Sequence, residues 1–445
     1  MSELCFKNTL RFSVDNKNKI DVGIPAVNRR SKLRTFHLTS DAPNYNDHDY
    51  PNPNCKLVPA GYQVLKERKT RSNSLSPPRM PLNLKTRRRS FSESTINDLV
   101  KKTNLCSDKI GRNKISWSRN GPLHVRLYPA RAVESTNVMH VNFLVNFLKN
   151  NNKLGDVHNV VAIADGGPDW SVKGVINLLS LGYLWENAKL DVLVLQSYAP
   201  GHSRFNPIER SWSQLTKWLV GVLLPDNIDG KKPSENDTVG WNKILDDAVD
   251  MCSKFWDGKE YAGFPVSVEK MYTGSQVINK LKEVHQLIHS FVNTTKKGLS
   301  ASIDLQSLQK KYKFYVKHCN RKPYQIEFAK CDDNQCSHCL SLPNCCNDML
   351  NMMKLFGGSF PVPEESVLYP GHYRTFLDLL QSSTLFNQAT GKYLPKRISD
   401  KFFGVCPFDS CNYTFFSKAD IKRHYLLMGH LNKNQMRRNY SKNKK

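Results

Sequence analysis

A short, mostly apolar run, Leu190 to Leu195 (LDVLVL), gives way after one loop to Asn206-Pro207-Ile208-Glu209 and an amphipathic segment behind it. An apolar run of that length bounded by polar loop reads as a buried strand. Pro207 suits the opening of a helix, where its missing N–H costs nothing. The pairing of buried strand and following helix repeats upstream. His124 to Leu127 (HVRL) is a strand, Ser135 to Asn150 a helix with an apolar face, and Asn159 to Ala164 (NVVAIA) a second buried strand. A further helix is expected from Asp169 as its N-cap, with Val172, Val175, Ile176, Leu179 and Tyr183 at core spacing. Buried strands alternating with helices imply an α/β sheet.

The N-terminus adds two strand signals, Arg11 to Asp15 (RFSVD) and Lys19 to Gly23 (KIDVG), which read as a hairpin about Asn16-Lys17-Asn18. Residues 40–59, rich in Pro, Asn and Asp, read as loop. The stretch 66–119 holds 15 Lys and Arg against 4 Asp and Glu and includes KTRRRSFSES. Such a composition cannot bury enough apolar surface to order itself, so it reads as a disordered insert. Its run Lys85 to Arg89 suits a nuclear localisation signal, a nucleic-acid contact or a solvated charge run equally. The expected organisation is a core divided into 1–59 and 120–225 by a basic insert at 60–119. A helical region at 226–315 follows, then a Cys-rich module and connecting region at 316–400. A Cys2His2 unit at 401–432 and a basic tail at 433–445 close the chain.

Three carboxylates stand at ends of these elements. Asp15 ends the first strand, Asp165 follows NVVAIA, and Glu209 lies just inside the helix after Asn206. Convergence at one sheet edge would suit divalent metals, which as hard cations take oxygen ligands. Each position also has a plainer reading. Glu209 completes a capping-box pattern with Asn206, Asp165 precedes Gly166-Gly167 as a turn residue with Asp169 as its rival, and Asp21 rivals Asp15. His202 and Arg204 lie near Glu209, as phosphate contacts or as exposed loop residues.

FSVD, VVAIADGGPD and SRFNPIERSW, taken in this order, resemble the catalytic domain of DDE transposases of the mariner superfamily. The resemblance covers residues 10–28 and 124–220. It implies an RNase H-like fold, with Asp15, Asp165 and Glu209 as catalytic residues holding Mg²⁺ or Mn²⁺ for hydrolysis of a DNA phosphodiester. The spacing between Asp165 and Glu209 is longer than is usual in that family. Fourteen residues precede Asp15, so the helix-turn-helix domain with which such enzymes read element ends is not expected. The alternative is a zinc-finger nucleic-acid-binding protein whose core is an inactive scaffold.

Nine of the 12 Cys lie after residue 250. Residues 1–20 carry no apolar secretion segment, and clustered Cys in such a chain read as metal ligands before disulfides. Cys406-x4-Cys411-x12-His424-x5-His430 has the spacing of a Cys2His2 zinc finger, two Cys on a hairpin and two His on a helix. If that helix reads DNA, Ser417, Asp420 and Arg423 occupy the base-contact positions. A stabilising or protein-binding unit is the other reading. Cys331, Cys336 and Cys339, with His318 as the candidate fourth ligand, suggest a second structural Zn²⁺. The plainer reading is reduced Cys in a small packed module.

The net charge is +26. It favours polyanionic partners, DNA first and RNA as an alternative, and a nuclear location. No run of about 18 apolar residues is present, so no membrane span is expected. Oligomeric state is left open.

Overall fold

The computed structural model describes residues 8–17, 19–23, 55–68, 116–117, 119–132, 134–150, 157–198, 203–341, 348–355, 358–360, 386–387, 392–393, 404–408, 411 and 413–430. The basic run Lys85 to Arg89, the tail at 433–445, His202, Cys345 and Cys346 lie outside these residues, as does nearly all of the 60–119 insert.

The N-terminal strands are β1 (Thr9–Asn16), β2 (Ile20–Asp21), β3 (Lys56–Val64), the short pair β4 (Glu67–Arg68) and β5 (Ser116–Trp117), and β6 (Leu123–Pro129). Helix α1 (Asn137–Asn150), β7 (Asn159–Ala164), α2 (Val175–Asn187), β8 (Val192–Ser197) and α3 (Ile208–Trp218) follow. Then come α4 (Thr238–Lys254), β9 (Glu260–Tyr261), β10 (Phe264–Lys270), α5 (Gln276–Asn293), α6 (Lys296–Ala301) and α7 (Ile303–Lys317). The chain continues through β11 (Cys319–Lys322), β12 (Gln325–Ala329), α8 (Ser337–Ser341), α9 (Asp348–Leu355), β13 (Phe386–Asn387) and β14 (Lys392–Tyr393). It closes with β15 (Gly404–Val405), β16 (Thr414–Phe415) and α10 (Lys418–Met428).

Ten strands form one mixed sheet in the order β11-β12-β8-β7-β1-β3-β6-β10-β9, with β2 alongside β3. Strands β1, β7 and β8 run parallel. Strand β3 is antiparallel to both β1 and β6, so β6 runs with β1. Helices cover both faces. One apolar layer joins Phe12, Val14 and Tyr62 to residues of α1, α2, α5 and α7. The other joins Leu57, Val125 and Leu127 to Ile208, Trp212 and Leu215 of α3 and to α4. The two-residue period of a strand sends Phe12 and Val14 to the first face and Ser13 and Asp15 to the second.

Several expectations need correction. The hairpin between residues 11–15 and 19–23 does not form, because β2 pairs with β3 rather than β1. The reading of 40–59 as loop, and a core ending at 59, overlooks β3, which is buried along its whole length. Pro59 and Gly61 disguise it, since Pro is rarely tolerated inside a sheet. Here Pro59 falls in the gap between the end of β1 pairing at Asn16↔Ala60 and the start of β2 pairing at Ile20↔Leu57. Its carbonyl accepts from Lys17 N at 2.9 Å. Gly61 makes room for α3, because a Cβ there would lie 2.3 Å from Trp212 Cζ2.

Asp169 does not cap a helix. It lies within a 3₁₀ turn, Pro168–Trp170, and α2 begins only at Val175 after Gly174. Tyr183, expected in the core, is 49 % exposed. The region 226–315 is mainly helical, and within it β10 extends the sheet beside β6. Among the described residues no helix is long and apolar enough to cross a membrane.

Candidate functional site

The register of β1 against β7 decides where the acids meet. Ser13 pairs with Ile163, so Asp15 and Asp165 emerge together at the carboxyl ends of two adjacent parallel strands. In open α/β sheets such an edge is where ligands bind. Helix α3 enters from the other side of β1. Asn206, expected as a cap with its side chain, instead reaches across to the strand. Its Oδ1 accepts from Ser13 Oγ at 2.5 Å, and its Nδ2 donates to the Val14 carbonyl at 3.1 Å. Ile208 N donates to Ser13 Oγ at 3.0 Å. These bonds lock the start of α3 onto β1 and bring Glu209, in its first turn, to Asp15.

Burial pushes the Asp15 carboxyl up to about 9, helped by the negative charges of Asp165 and Glu209 and by a side-chain hydrogen bond with Glu209. The Asn16 N–H, donating to Asp15 Oδ1 at 2.8 Å, offsets a small part of this. Asp165 Oδ1 accepts from Gly167 N at 3.0 Å. The three sequence-predicted acids therefore share one electrostatic site. Of their rivals, Asp21 pairs with Lys56 at 3.5 Å on β2. Asp169 accepts from Asn16 Nδ2 at 2.9 Å and lies 3.6 Å from His140 Nε2. Asp169 thus braces the loop after β7 against the end of β1. Arg204 is exposed, its guanidinium 4.9 Å from the Phe205 ring centre.

Two residues beside the site escaped sequence reasoning. Burial lowers the Lys17 ammonium, while Cys252 and Glu209 within electrostatic reach pull it back up. His140 is buried in α1, where Nδ1 shares a 2.7 Å hydrogen bond with Tyr62 Oη. No local pattern marks either residue. Their roles depend on which elements come to lie beside β1.

Two Cys and His groups have ligand atoms that all lie within 4.8 Å of one another: His318, Cys331, Cys336 and Cys339, and Cys406, Cys411, His424 and His430. The three carboxylates are grouped more loosely. Both Cys/His sets suit a tetrahedral ion such as zinc. In the first, His318 sits at the end of α7, and its Nδ1 donates to the Phe314 carbonyl at 2.8 Å. That leaves Nε2 facing Cys336 Sγ at 3.5 Å. Burial lowers the His318 pKa, which favours the neutral, ligating imidazole. The Cys336 thiol sits below its usual range: burial raises it, but hydrogen bonds from the Cys339 backbone and from the Cys339 and Cys331 thiols outweigh that. Cys319, nearby in sequence, packs in the core of β11 instead.

In the second set β15 and β16 form the hairpin, and α10 carries His424. His424 Nδ1 is 3.1 Å from Tyr312 Oη, and Nε2 is 3.4 Å from Cys411 Sγ. A hydrogen bond at the far ring nitrogen of this kind orients a metal-ligating His. Burial, with His430 and Arg321 adding to it, lowers the His424 pKa to about 3, so its imidazole is neutral near pH 7. Gly429 closes α10 in the left-handed region at φ 79° and turns His430 back to the site. His430 Nε2 is buried with no hydrogen-bond partner, as an unmetallated ligand atom would be.

The expected base contacts are arranged otherwise. Ser417 caps α10, its Oγ accepting from Asp420 N at 3.1 Å. The Asp420 carboxylate is buried and accepts from Tyr413 Oη at 2.6 Å and Phe416 N at 3.1 Å. Arg423 is half-buried.

Compared with protein-family models, curated proteins and solved structures, the chain matches none of them.

Proposed function

We propose that this chain is a transposase-derived nuclear DNA-binding protein that cleaves DNA phosphodiesters at Asp15, Asp165 and Glu209. The observation that carries the reading is the meeting of these acids, drawn from three distant stretches, at the carboxyl edge of β1 and β7. The strand order β6-β3-β1-β7-β8, with β3 alone reversed, supports an RNase H-like core. So does the placing of one acid at the carboxyl end of β1, one just after β7 and one at the start of α3.

A site where burial and two neighbouring carboxylates oppose ionisation of a third is a site that gains from a cation. Asp15, Asp165 and Glu209 would hold Mg²⁺ or Mn²⁺, which supplies Lewis-acid stabilisation of the charge developing on the attacking and leaving oxygens. The chain's own part is positional. Asn206 fixes α3 and Glu209 against β1, and Asp169 with Asn16 fixes the loop after β7. Lys17, close to Glu209, lies where a phosphate could be met. The two Cys/His sets act as structural zinc sites, the second as a Cys2His2 finger. The excess of basic residues supports a nucleic-acid partner.

The test is nicking of plasmid DNA by the zinc-loaded protein with Mg²⁺ or Mn²⁺, beside Asp165→Ala. Metal-dependent nicking that vanishes in the variant supports the proposal. Folded protein that binds DNA without nicking it, under either metal, assigns the core to an inactive scaffold. Parallel binding to RNA of the same length separates the two polyanions.

A further inference from the structure

The C-terminal Cys2His2 unit packs directly on the loop that carries Asp165, and one residue of the sheet makes the connection. Arg321 lies on β11 and is 2 % exposed. On one side its Nε donates to the Val172 carbonyl at 3.2 Å and its Nη2 to the Lys173 carbonyl at 2.5 Å. Those carbonyls end the segment 165–174 that begins with Asp165 at β7. On the other side Nη1 lies 3.7 Å from Asp420 Oδ2 in α10. Its guanidinium carbon stands 4.8 Å from the Tyr413 ring centre and 5.0 Å from that of Phe416. Lys173 Nζ also lies 5.8 Å from the Phe416 ring centre.

We infer that Arg321 is a positioning residue through which the metal-loaded Cys2His2 unit holds the Asp165 loop in place. The unit serves the acid site from within the chain instead of presenting α10 to bases. The chemistry favours this. A buried guanidinium with five donors in a fixed fork spans two carbonyls and a carboxylate in a way no shorter residue does. Asp420 meets Arg321 only while the hairpin and α10 are folded, and a unit this short folds only around its metal. The path from metal to loop is short: His424 stacks on Tyr413 with ring centres 3.9 Å apart, Tyr413 bonds Asp420, and Asp420 faces Arg321. The first half of the loop has its own anchors, since Asn137 Nδ2 donates to the Asp169 carbonyl and Ser197 Oγ to the Trp170 carbonyl. Asn177 Nδ2 likewise donates to the Pro168 and Ser171 carbonyls at 3.1 and 2.8 Å, so the control should fall on Val172 to Gly174 and pass from there to Asp165.

The inference rests on the proposed function only for the importance of Asp165, and its test reads no cleavage. Amide hydrogen exchange is followed on the full-length protein, with zinc counted by native mass spectrometry, in wild type, His430→Ala and Asp420→Asn. His430→Ala is expected to lose one zinc. Exchange in 170–176 should then rise about tenfold or more, while the β3 and β6 amides keep wild-type rates. Asp420→Asn is expected to keep both zinc ions and show the same local rise. Zinc loss in His430→Ala without faster exchange in 170–176 overturns the inference. So does an equal rise in β3 and β6, which would make the unit a general stabiliser. Wild-type exchange in zinc-replete Asp420→Asn removes the role of Arg321.

Discussion

Ser13 and Asn206, 193 positions apart, are joined in the core by a 2.5 Å hydrogen bond from Ser13 Oγ to Asn206 Oδ1. The same amide donates to the Val14 carbonyl. Replacing Asn206 by Ala leaves that buried carbonyl and the Ser13 hydroxyl short of partners. The expected cost is about 1–3 kcal/mol, read as a lower urea midpoint at unchanged slope. An unchanged midpoint would show that α3 is held on β1 by other means.

Gly61 and Trp212 form a second link between β3 and α3. A methyl at Gly61 would stand 2.3 Å from Trp212 Cζ2 and 2.8 Å from Ile208 Cδ1, so the helix must shift. Gly61→Ala should cost about 1–3 kcal/mol through overpacking. Combining it with Trp212→Leu should recover part of that loss, because the two changes act on one contact. Strictly additive costs in denaturation experiments would refute the close approach.

The Asp15 carboxyl carries a pH signature. Its folded value of about 9 lies above its ordinary 3.8. The folded state therefore keeps a proton that the unfolded chain gives up between those values. Without added divalent cation, this group's contribution to stability is fully present below about pH 4 and is lost as pH rises towards 9. Asp15→Asn should flatten that part of the stability profile. Mn²⁺ binding should displace the proton and tighten as pH rises, which calorimetry in buffers of different ionisation enthalpy measures. No proton release near pH 7 would contradict the assignment.

The two Cys/His sets predict metal content directly. Purified protein should hold about two zinc ions, and Cys336→Ser or His424→Ala about one, because each change removes one ligand from a separate set. After Co²⁺ exchange the two sites should differ in thiolate charge-transfer intensity, three thiolates against two. Loss of both ions in either single variant would show the sites to be coupled.

Acidification should empty the second set. His424 is held neutral well below its ordinary 6.5, at about 3, by burial first. The unfolded chain therefore binds a proton that the folded one refuses. Stability from this group is full above about pH 6.5 and falls as pH drops towards 3. Zinc release followed with a chromogenic chelator should begin below about pH 6 and show a midpoint shifted by Tyr312→Phe, since Tyr312 holds the far nitrogen of the ring.

Much of this was legible in the residues themselves. NVVAIA is β7 to the residue, and the spacing of Cys406, Cys411, His424 and His430 already named one metal set. Those signals are local: a strand bounded by turns, and a hairpin and a helix that gather four candidate ligands. Strand β3 was hidden because Pro59 and Gly61 argue against a strand wherever neighbours are unknown. Asp15 could not be separated from Asp21, nor Asp165 from Asp169, because each pair differs only in what lies opposite it.

The sequence alone determined many of the strands and helices, which Cys and His gather as candidate metal ligands, and that three acids stand at element ends. Only the tertiary structure decided that these acids converge, that Asn206 spends its side chain on β1 instead of a helix cap, and that α10 turns Asp420 inward to Arg321. The reason is range. Hydrophobic period, capping and ligand spacing act within one or two turns of chain, whereas register across a sheet and the burial of a guanidinium against a distant carboxylate exist only once the elements have packed.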